Sequence, residues 1–379
     1  RDLPYDAFVI EQIAGDLLPS PTQDQIVATG FLRNSMLNEE GAIIPEEFRM
    51  VEMFDRLDCL GRAVLGLSTQ CAQCHSHKFD PLSQDEYYGM FAFLNNTFEA
   101  KSLVYEPAES VQLADIRRGV AAAEARIRDL RPGWADELAA WERGVAATLL
   151  PWTPVVMDEM HSAGLLTHPV HVENAAILML GHRDQSMVFE AAPDLRGATG
   201  MRVEALMHGD LLMGGPGRDG SWALADLKVE VRRPDNDTWE SVKLVHATAD
   251  FTGPERTAPK PNVKNAQLTL GPVAALIDDS GDTAWEADRG ELRRHQPSAA
   301  VVQFEKPLDP PPGTRLRVTL QNLNLRPDFN HEDTAVIGCC RISLTTAPAP
   351  QAPAIDHAAV LAMETPASRR TPAERGAVF

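Results

Sequence analysis

Apolar residues recur every three or four positions through the first 150 residues, the spacing of one buried helix face. In PYDAFVIEQIAGDLLP, Tyr5, Phe8, Val9, Ile13 and Leu17 predict a helix that Pro19 and Pro21 close. DQIVATGFL predicts a second. A longer third is predicted by PEEFRMVEMFDRLDCLGRAVLGL, with Phe48, Val51, Phe54, Leu57, Leu60 and Val64 as its stripe. Proline and two glutamates open it, suited to a first turn whose dipole favours negative charge. SQDEYYGMFAFLNN predicts a fourth, with Ser83 as its cap. ESVQLADIRRGVAAAEARIRDL, interrupted by RPG and resumed in WADELAAWERGVAATLL, predicts a charged helical hairpin, most simply read as a solvated spacer.

From residue 151 the period changes to two. GMRVEAL, LADLKVEVRR, SVKLVHA, AVVQFE, RLRVTLQNL and CRISLTT alternate apolar and polar positions between turns rich in Gly, Pro, Asp and Asn. Many short strands of this kind predict an antiparallel β-sandwich. MVFEAAPDLRGATGMRVEAL and VVQFEKPLDPPPGTRLRVTL both run strand, proline-containing turn, Gly and strand, as an internal duplication or as two similar hairpins. The expected organisation is therefore multidomain α + β. A helical domain spans 1–105, a helical hairpin spacer 106–150 and the sandwich 151–347, and at 348–379 a Pro/Ala linker leads into helix-compatible sequence. The opening RDLPYD carries neither an initiator methionine nor a signal peptide, so a processed product or a piece of something longer is expected.

Charge narrows the partners. The formal net charge of −19 over 379 residues would repel nucleic acid and anionic membrane alike. No apolar run approaches the roughly 20 residues that span a bilayer. Five cysteines, with Cys339 and Cys340 adjacent, do not form a disulfide framework, and Cys59, Cys339 and Cys340 are expected as small buried hydrophobes.

CAQCHSHKFDP, residues 71–81, holds the densest chemistry. Cys71, Cys74 and His75 match the c-type haem attachment spacing: two thiols two residues apart can add to the vinyl groups of one porphyrin, and the adjacent histidine then meets the iron. Zinc is the competing reading, with Cys71, Cys74, His75 and His77 as donors, although all four lie within seven residues and structural zinc usually draws a second ligand pair from afar. A polar loop without a metal is the third. For haem c, His75 is the proximal iron ligand, and Met36, Met50, Met53 and Met90 are candidates for the far side. His77 and Lys78 would then stand around the haem edge. GGPGRDG lacks the lysine and the strand–helix setting of a phosphate loop and reads as a turn.

RNSMLNEEGAIIPEEFR followed by DRLDCLGRAVLGLSTQCAQCHSHKFDPLSQDEYYGMFAFLNN resembles the planctomycete-type cytochrome c domain of large secreted proteins of unknown function. The opening DLPYDAFVIEQIAGDLLP fits the same domain, with an N-terminal portion missing. The resemblance implies haem attachment at Cys71, Cys74 and His75, followed by His77, Lys78, Asp80 and Pro81. Its second pattern falls on Arg33, Asn34, Met36, Asn38, Glu39, Glu40 and Gly41, which sets Met36 above the other methionines as the distal ligand. Cys59 and Ala42 depart from the family, where a hydroxyl residue and a second glycine are usual.

The β-rich part resembles galactose-binding-like jelly rolls, and a second helical domain is expected beyond the chain. That likeness makes Trp222, Trp239, Trp285 and Phe329 candidate sugar platforms. Asp278, Asp279, Asp282 and Asp288 are either a calcium loop or an acidic solvated turn. The expectation is a periplasmic, secreted or cell-surface haem protein that carries electrons to or from a redox partner protein, while the sandwich holds a polysaccharide, a cell-surface glycan or a protein. A glycan-acting enzyme and a structural subunit of an envelope assembly are the alternatives, and the oligomeric state is open.

Overall fold

A computed structural model describes residues 2–35, 44–95, 97, 102–162, 167–181, 184–211, 214–218, 222–260, 266–290, 295–324 and 334–379. Met36, Asn38, Glu39, Glu40, Gly41, Ala42 and Phe329 lie outside them. The chain divides into two compact units, Arg1–Gln112 and Leu113–Phe379.

The first unit is helical. α1 (Tyr5–Ala14) ends well before Pro19, where Ala14 leaves α geometry at φ −146°, and the next residue is Gly15, which the backbone of Gln25 approaches so closely that a Cβ would have no room. α2 (Gln23–Ala28) opens on a reciprocal capping box between Thr22 and Gln25. α3 (Pro45–Leu60) ends in a single π turn, and Gly66, at φ 69°, turns the chain out of it. α4 (Gln84–Asn95) is capped as expected: Ser83 Oγ accepts from the Glu86 N–H at 3.2 Å, and the Glu86 carboxylate accepts from the Ser83 N–H at 2.8 Å. Met53, Leu57 and Leu60 of α3 meet Tyr87 and Leu94 of α4 around Ala72 and Leu82. Val51, expected in the stripe, is instead 50% exposed, because the buried face of α3 is turned towards Met53 and Leu57. α5 (Pro107–Leu130) begins at the end of this unit and continues in the second, to which α6 (Trp134–Ala146) also belongs, with residues 131–133 between the two helices.

The second unit is dominated by two facing sheets. In chain order the strands are β1 (Thr153–Pro154), β2 (Glu159–Ser162), β3 (Thr167–His171), β4 (Ile177–Gly181), β5 (Ser186–Ala191) and β6 (Ala198–Ala205). Next come β7 (Leu224–Arg232), β8 (Glu240–Ser241), β9 (Leu244–Ala249), β10 (Arg256–Pro259), β11 (Gln267–Gly271) and β12 (Thr283–Trp285). The last are β13 (Ser298–Leu308), β14 (Arg315–Asn324), β15 (Thr334–Ala335) and β16 (Cys339–Thr345). One sheet runs β3-β4-β16-β6-β13-β9 and the other β10-β11-β12-β7-β14-β5-β2. The pairing is antiparallel apart from β11 with β12. Alternate residues of both sheets fill the space between them, among them Met201, Val203, Val302, Phe304 and Ile342 from one and Phe189, Leu227, Val229 and Val318 from the other.

The two similar passages are not hairpins. β5 and β6 lie in opposite sheets, as do β13 and β14, and β5 pairs with β14 while β6 pairs with β13. Gly197 (φ 72°) and Gly313 (φ 84°) stand at the turns that carry the chain across the sandwich. Cys339 and Cys340 alternate on β16: Cys340 enters the inter-sheet core and Cys339 the cluster with Leu178 and Leu211, so both are the small buried hydrophobes expected.

The Pro/Ala stretch does not leave the sandwich at once. The Ala352 N–H donates to Thr248 Oγ1 at 2.8 Å, and α7 (His357–Glu364) buries His357, Ala359, Val360 and Ala362. α8 (Pro372–Val378) completes the described chain.

Candidate functional site

The turn that carries the cysteines is fixed from below by Thr69. This residue is fully buried, its hydroxyl donates to the Leu57 carbonyl at 3.3 Å, and its side chain fills the space a Cβ on Gly61 would need. Residues Gln70–Gln73 then form one 3₁₀ turn. Three residues per turn set positions i and i+3 on one side, so Cys71 and Cys74 share a face while Ala72, 0% exposed, enters the core. Both thiols are exposed and unbridged. α4 holds the turn from its other side: Tyr88 Oη and Gln84 Nε2 donate to the Gln73 carbonyl at 2.9 and 3.2 Å.

The two histidines have different work. His75 is exposed, and its Nδ1–H donates to the Ser76 carbonyl at 2.9 Å, which leaves the lone pair on Nε2. A backbone bond of this kind orients an imidazole for an iron or zinc on the other nitrogen. His77 is inward, its side chain 7% exposed. Its Nδ1 accepts from the N–H groups of Asp80 (2.7 Å) and Phe79 (3.2 Å), so its Nε2 carries the proton and faces Ser68 Oγ at 3.2 Å. Ser68 Oγ donates in turn to Asp80 at 3.0 Å, and the Ser68 hydroxyl and N–H hold that carboxyl below the usual carboxylate range. Ser, His and Asp therefore meet here, but the arrangement is not nucleophilic: Asp80 bonds the serine directly, and the histidine nitrogen an orienting carboxylate would need is an acceptor.

With both nitrogens engaged, His77 is a loop brace, and the four-donor zinc set is not assembled. Among the described residues no group of three or more His, Cys, Asp or Glu could hold a metal ion. Lys78 lies over the Phe79 ring at 5.1 Å, and Phe79 is 83% exposed. Of the methionines, Met53 is 3% exposed in the core, Met90 packs against that core, and Met50 receives the Arg49 guanidinium at 3.8 Å. Beneath the turn, Tyr87 is fully buried, and its hydroxyl has no hydrogen-bond partner among the described residues. Burial, with Tyr88, Asp58 and Cys74 close by, pushes its phenol up to about 12.

In the sandwich, Trp222 and Trp285 are not platforms: they meet edge to face at 4.7 Å inside the core, with 4% and 0% exposure. Trp239 is nearer the surface, but Arg317 lies 3.8 Å and Arg232 4.9 Å from its ring centre. Asp278 is bonded within its own turn to the Ser280 N–H and the Thr283 hydroxyl, Asp282 pairs with Lys260, and Asp288 accepts from the Gly290 N–H.

A buried charge cluster escaped the sequence reading. Glu204, 0% exposed on β6, takes both nitrogens of an Arg341 fork at 2.7 and 2.8 Å, Arg202 at 3.1 Å and His357 Nε2 at 2.8 Å. Burial alone would push its carboxyl up, but the hydrogen bonds from Arg341 and His357 and the charge of Arg202 outweigh it and bring it down to about 2. Beside it, Arg289 joins Asp250 at 2.5 Å and Asp356 at 2.8 Å. The available signal was the alternation itself: Arg202 and Glu204 are two apart on one strand face, and Arg341 is the cross-strand neighbour of Glu204.

Residues 1–99 match the family model described as PSCyt2, a protein of unknown function (DUF1549), which fits the resemblance of that segment to a planctomycete cytochrome-like domain. The comparison with curated proteins returned no match, nor did the comparison with solved structures.

Proposed function

We propose that the first unit is a c-type haem domain that carries electrons outside the cytoplasm. Cys71 and Cys74 would hold the porphyrin through two thioether bonds, and His75 Nε2 would meet the iron. The observation that carries this reading is the joint display of two exposed thiols on one side of a 3₁₀ turn beside an exposed imidazole oriented through Nδ1. The donor chemistry suits haem better than zinc, since iron in a porphyrin asks one imidazole of this loop while zinc would ask four donors of it. The bound group would supply a one-electron couple. The residues around it have defined tasks: Thr69, Gln84 and Tyr88 hold the turn, His77 and Asp80 close the following loop, and Lys78 offers a cation to a propionate. Met36, outside the described residues, is the second iron ligand that the family resemblance would favour.

The sandwich is the partner-holding half, for a glycan or a redox protein. A sugar at Trp239 would share the ring with Arg317. Among the described residues no helix is long and apolar enough to cross a membrane.

The test is expression with a c-type maturation system, followed by a pyridine haemochrome spectrum and an intact mass. One covalent haem, lost in the C71A/C74A double variant, is the expected result. A chain that matures without haem or a Soret band refutes it.

A further inference from the structure

α5 is 24 residues long and buries none of them. Its apolar residues nevertheless follow a rule. Leu113, Ile116, Val120, Ala123, Ile127 and Leu130 succeed one another at alternating steps of three and four, the a/d pattern of a coiled-coil seam. Ile116 is 63% exposed, Val120 55%, Ile127 48% and Leu130 73%. A solvated spacer needs no such seam.

α6 does not cover it. The tail holds α6: the Arg370 guanidinium grips Glu142 at 2.8 and 3.1 Å, and Trp134 meets Phe379 edge to face at 5.7 Å. At 13 residues α6 is also about 20 Å long against about 36 Å for α5, too short to cover the whole seam. A surface that matches α5 in both length and period is α5 of a second copy.

Charge decides the direction. The positions flanking the seam are Arg117, Glu124 and Arg131 on one side and Gln112, Gly119 and Arg126 on the other. A parallel pair would bring no opposite charges together and would set Arg126 near the second copy's Arg131, which stands just past the end of α5 and pairs with Glu137 at 3.5 Å. An antiparallel pair sets Arg117 beside the second copy's Glu124, twice, and brings no like charges together. Its layers are Leu113 on Leu130, Ile116 on Ile127 and Val120 on Ala123. Ala123 in the central layer and Gly119 beside it are small, which keeps the midpoint slim enough for two backbones to approach.

We propose that the chain dimerises through α5, antiparallel, along the Leu113–Leu130 seam. Sedimentation velocity on the full chain over a concentration series tests it, with circular dichroism to verify that each variant is folded. The wild type is expected to dimerise and V120E to be monomeric. R117E and E124R should each weaken the dimer about tenfold, since two attractive pairs become two repulsive ones. The double variant R117E/E124R restores the pairs in the antiparallel arrangement and should return to wild-type affinity. A wild type that stays monomeric, a dimer indifferent to V120E, or a double variant no tighter than the singles overturns the proposal.

Discussion

Replacing Glu204 by glutamine should destabilise the sandwich by about 3 kcal/mol at pH 7, and the loss should fade in acid. The substitution keeps the shape and removes the charge on which Arg341, Arg202 and His357 converge. The side chains of Arg202 and Arg341 are 8% and 7% exposed, so water cannot replace the carboxylate. Removing one partner of a buried ion pair costs about 3–5 kcal/mol. The shift of the carboxyl on folding gives a figure of the same size. The Glu204 carboxyl falls from 4.5 to about 2 on folding, and at 1.36 kcal/mol per pH unit that is also about 3 kcal/mol. The sign follows from the direction. A carboxyl depressed by folding contributes fully above its unfolded value near 4.5, and the contribution is lost as pH falls from there towards about 2. All six tryptophans lie in the second unit, so urea unfolding followed by their fluorescence reports that unit. Wild type and E204Q should differ by about 3 kcal/mol at pH 7 and converge as the pH drops below 4.5. A difference under about 0.5 kcal/mol at pH 7, or one that does not change with pH, would refute the reasoning.

Other outcomes test the remaining structure. Iodoacetamide under native conditions, read by peptide mass, should label Cys71 and Cys74 in haem-free protein and spare Cys339 and Cys340. Those two are buried, and burial pushes the Cys339 thiol up to about 12 and the Cys340 thiol well above the ordinary thiol range. Labelling of Cys340 at the rate of Cys71 would contradict the packing of β16. H77F should lower the stability of the first unit by about 1–3 kcal/mol, because the Phe79 and Asp80 N–H groups lose their acceptor. Hydrogen exchange at those two amides is the direct readout, and unchanged protection would dismiss the brace. G61A should cost about 1–3 kcal/mol, since the new methyl meets the buried Thr69 side chain, and pairing it with T69S should recover part of the loss in melting temperature.

Periodicity made the helices and strands legible, because the spacing of apolar residues and the geometry of the elements are the same fact. It was less informative about where elements end. α1 ends at Ala14, before Pro19, with no local sequence sign, whereas the Ser83/Glu86 capping box was readable three residues apart. The CAQCH spacing marked its chemistry, but the unlike roles of His75 and His77 depend on which backbone groups reach each ring. No spacing rule states that.

The buried charges and the exposed seam are two forms of one difficulty. Alternation on β6 and β16 predicts that Arg202, Glu204 and Arg341 share the polar, outward face of the sheet, and they do. They are buried because α7, more than 150 residues from Glu204 along the chain, brings His357 down on that face at 2.8 Å. On α5 the same logic runs the other way: a/d spacing predicts a buried seam, and Ile116, Val120, Ile127 and Leu130 are exposed. Pattern reports which residues share a face, while burial depends on what covers that face. For Glu204 the cover is the chain's own tail. For Ile116 and Val120 the proposed cover is a second copy of α5, and the charge swap at Arg117 and Glu124 is the measurement that tests it.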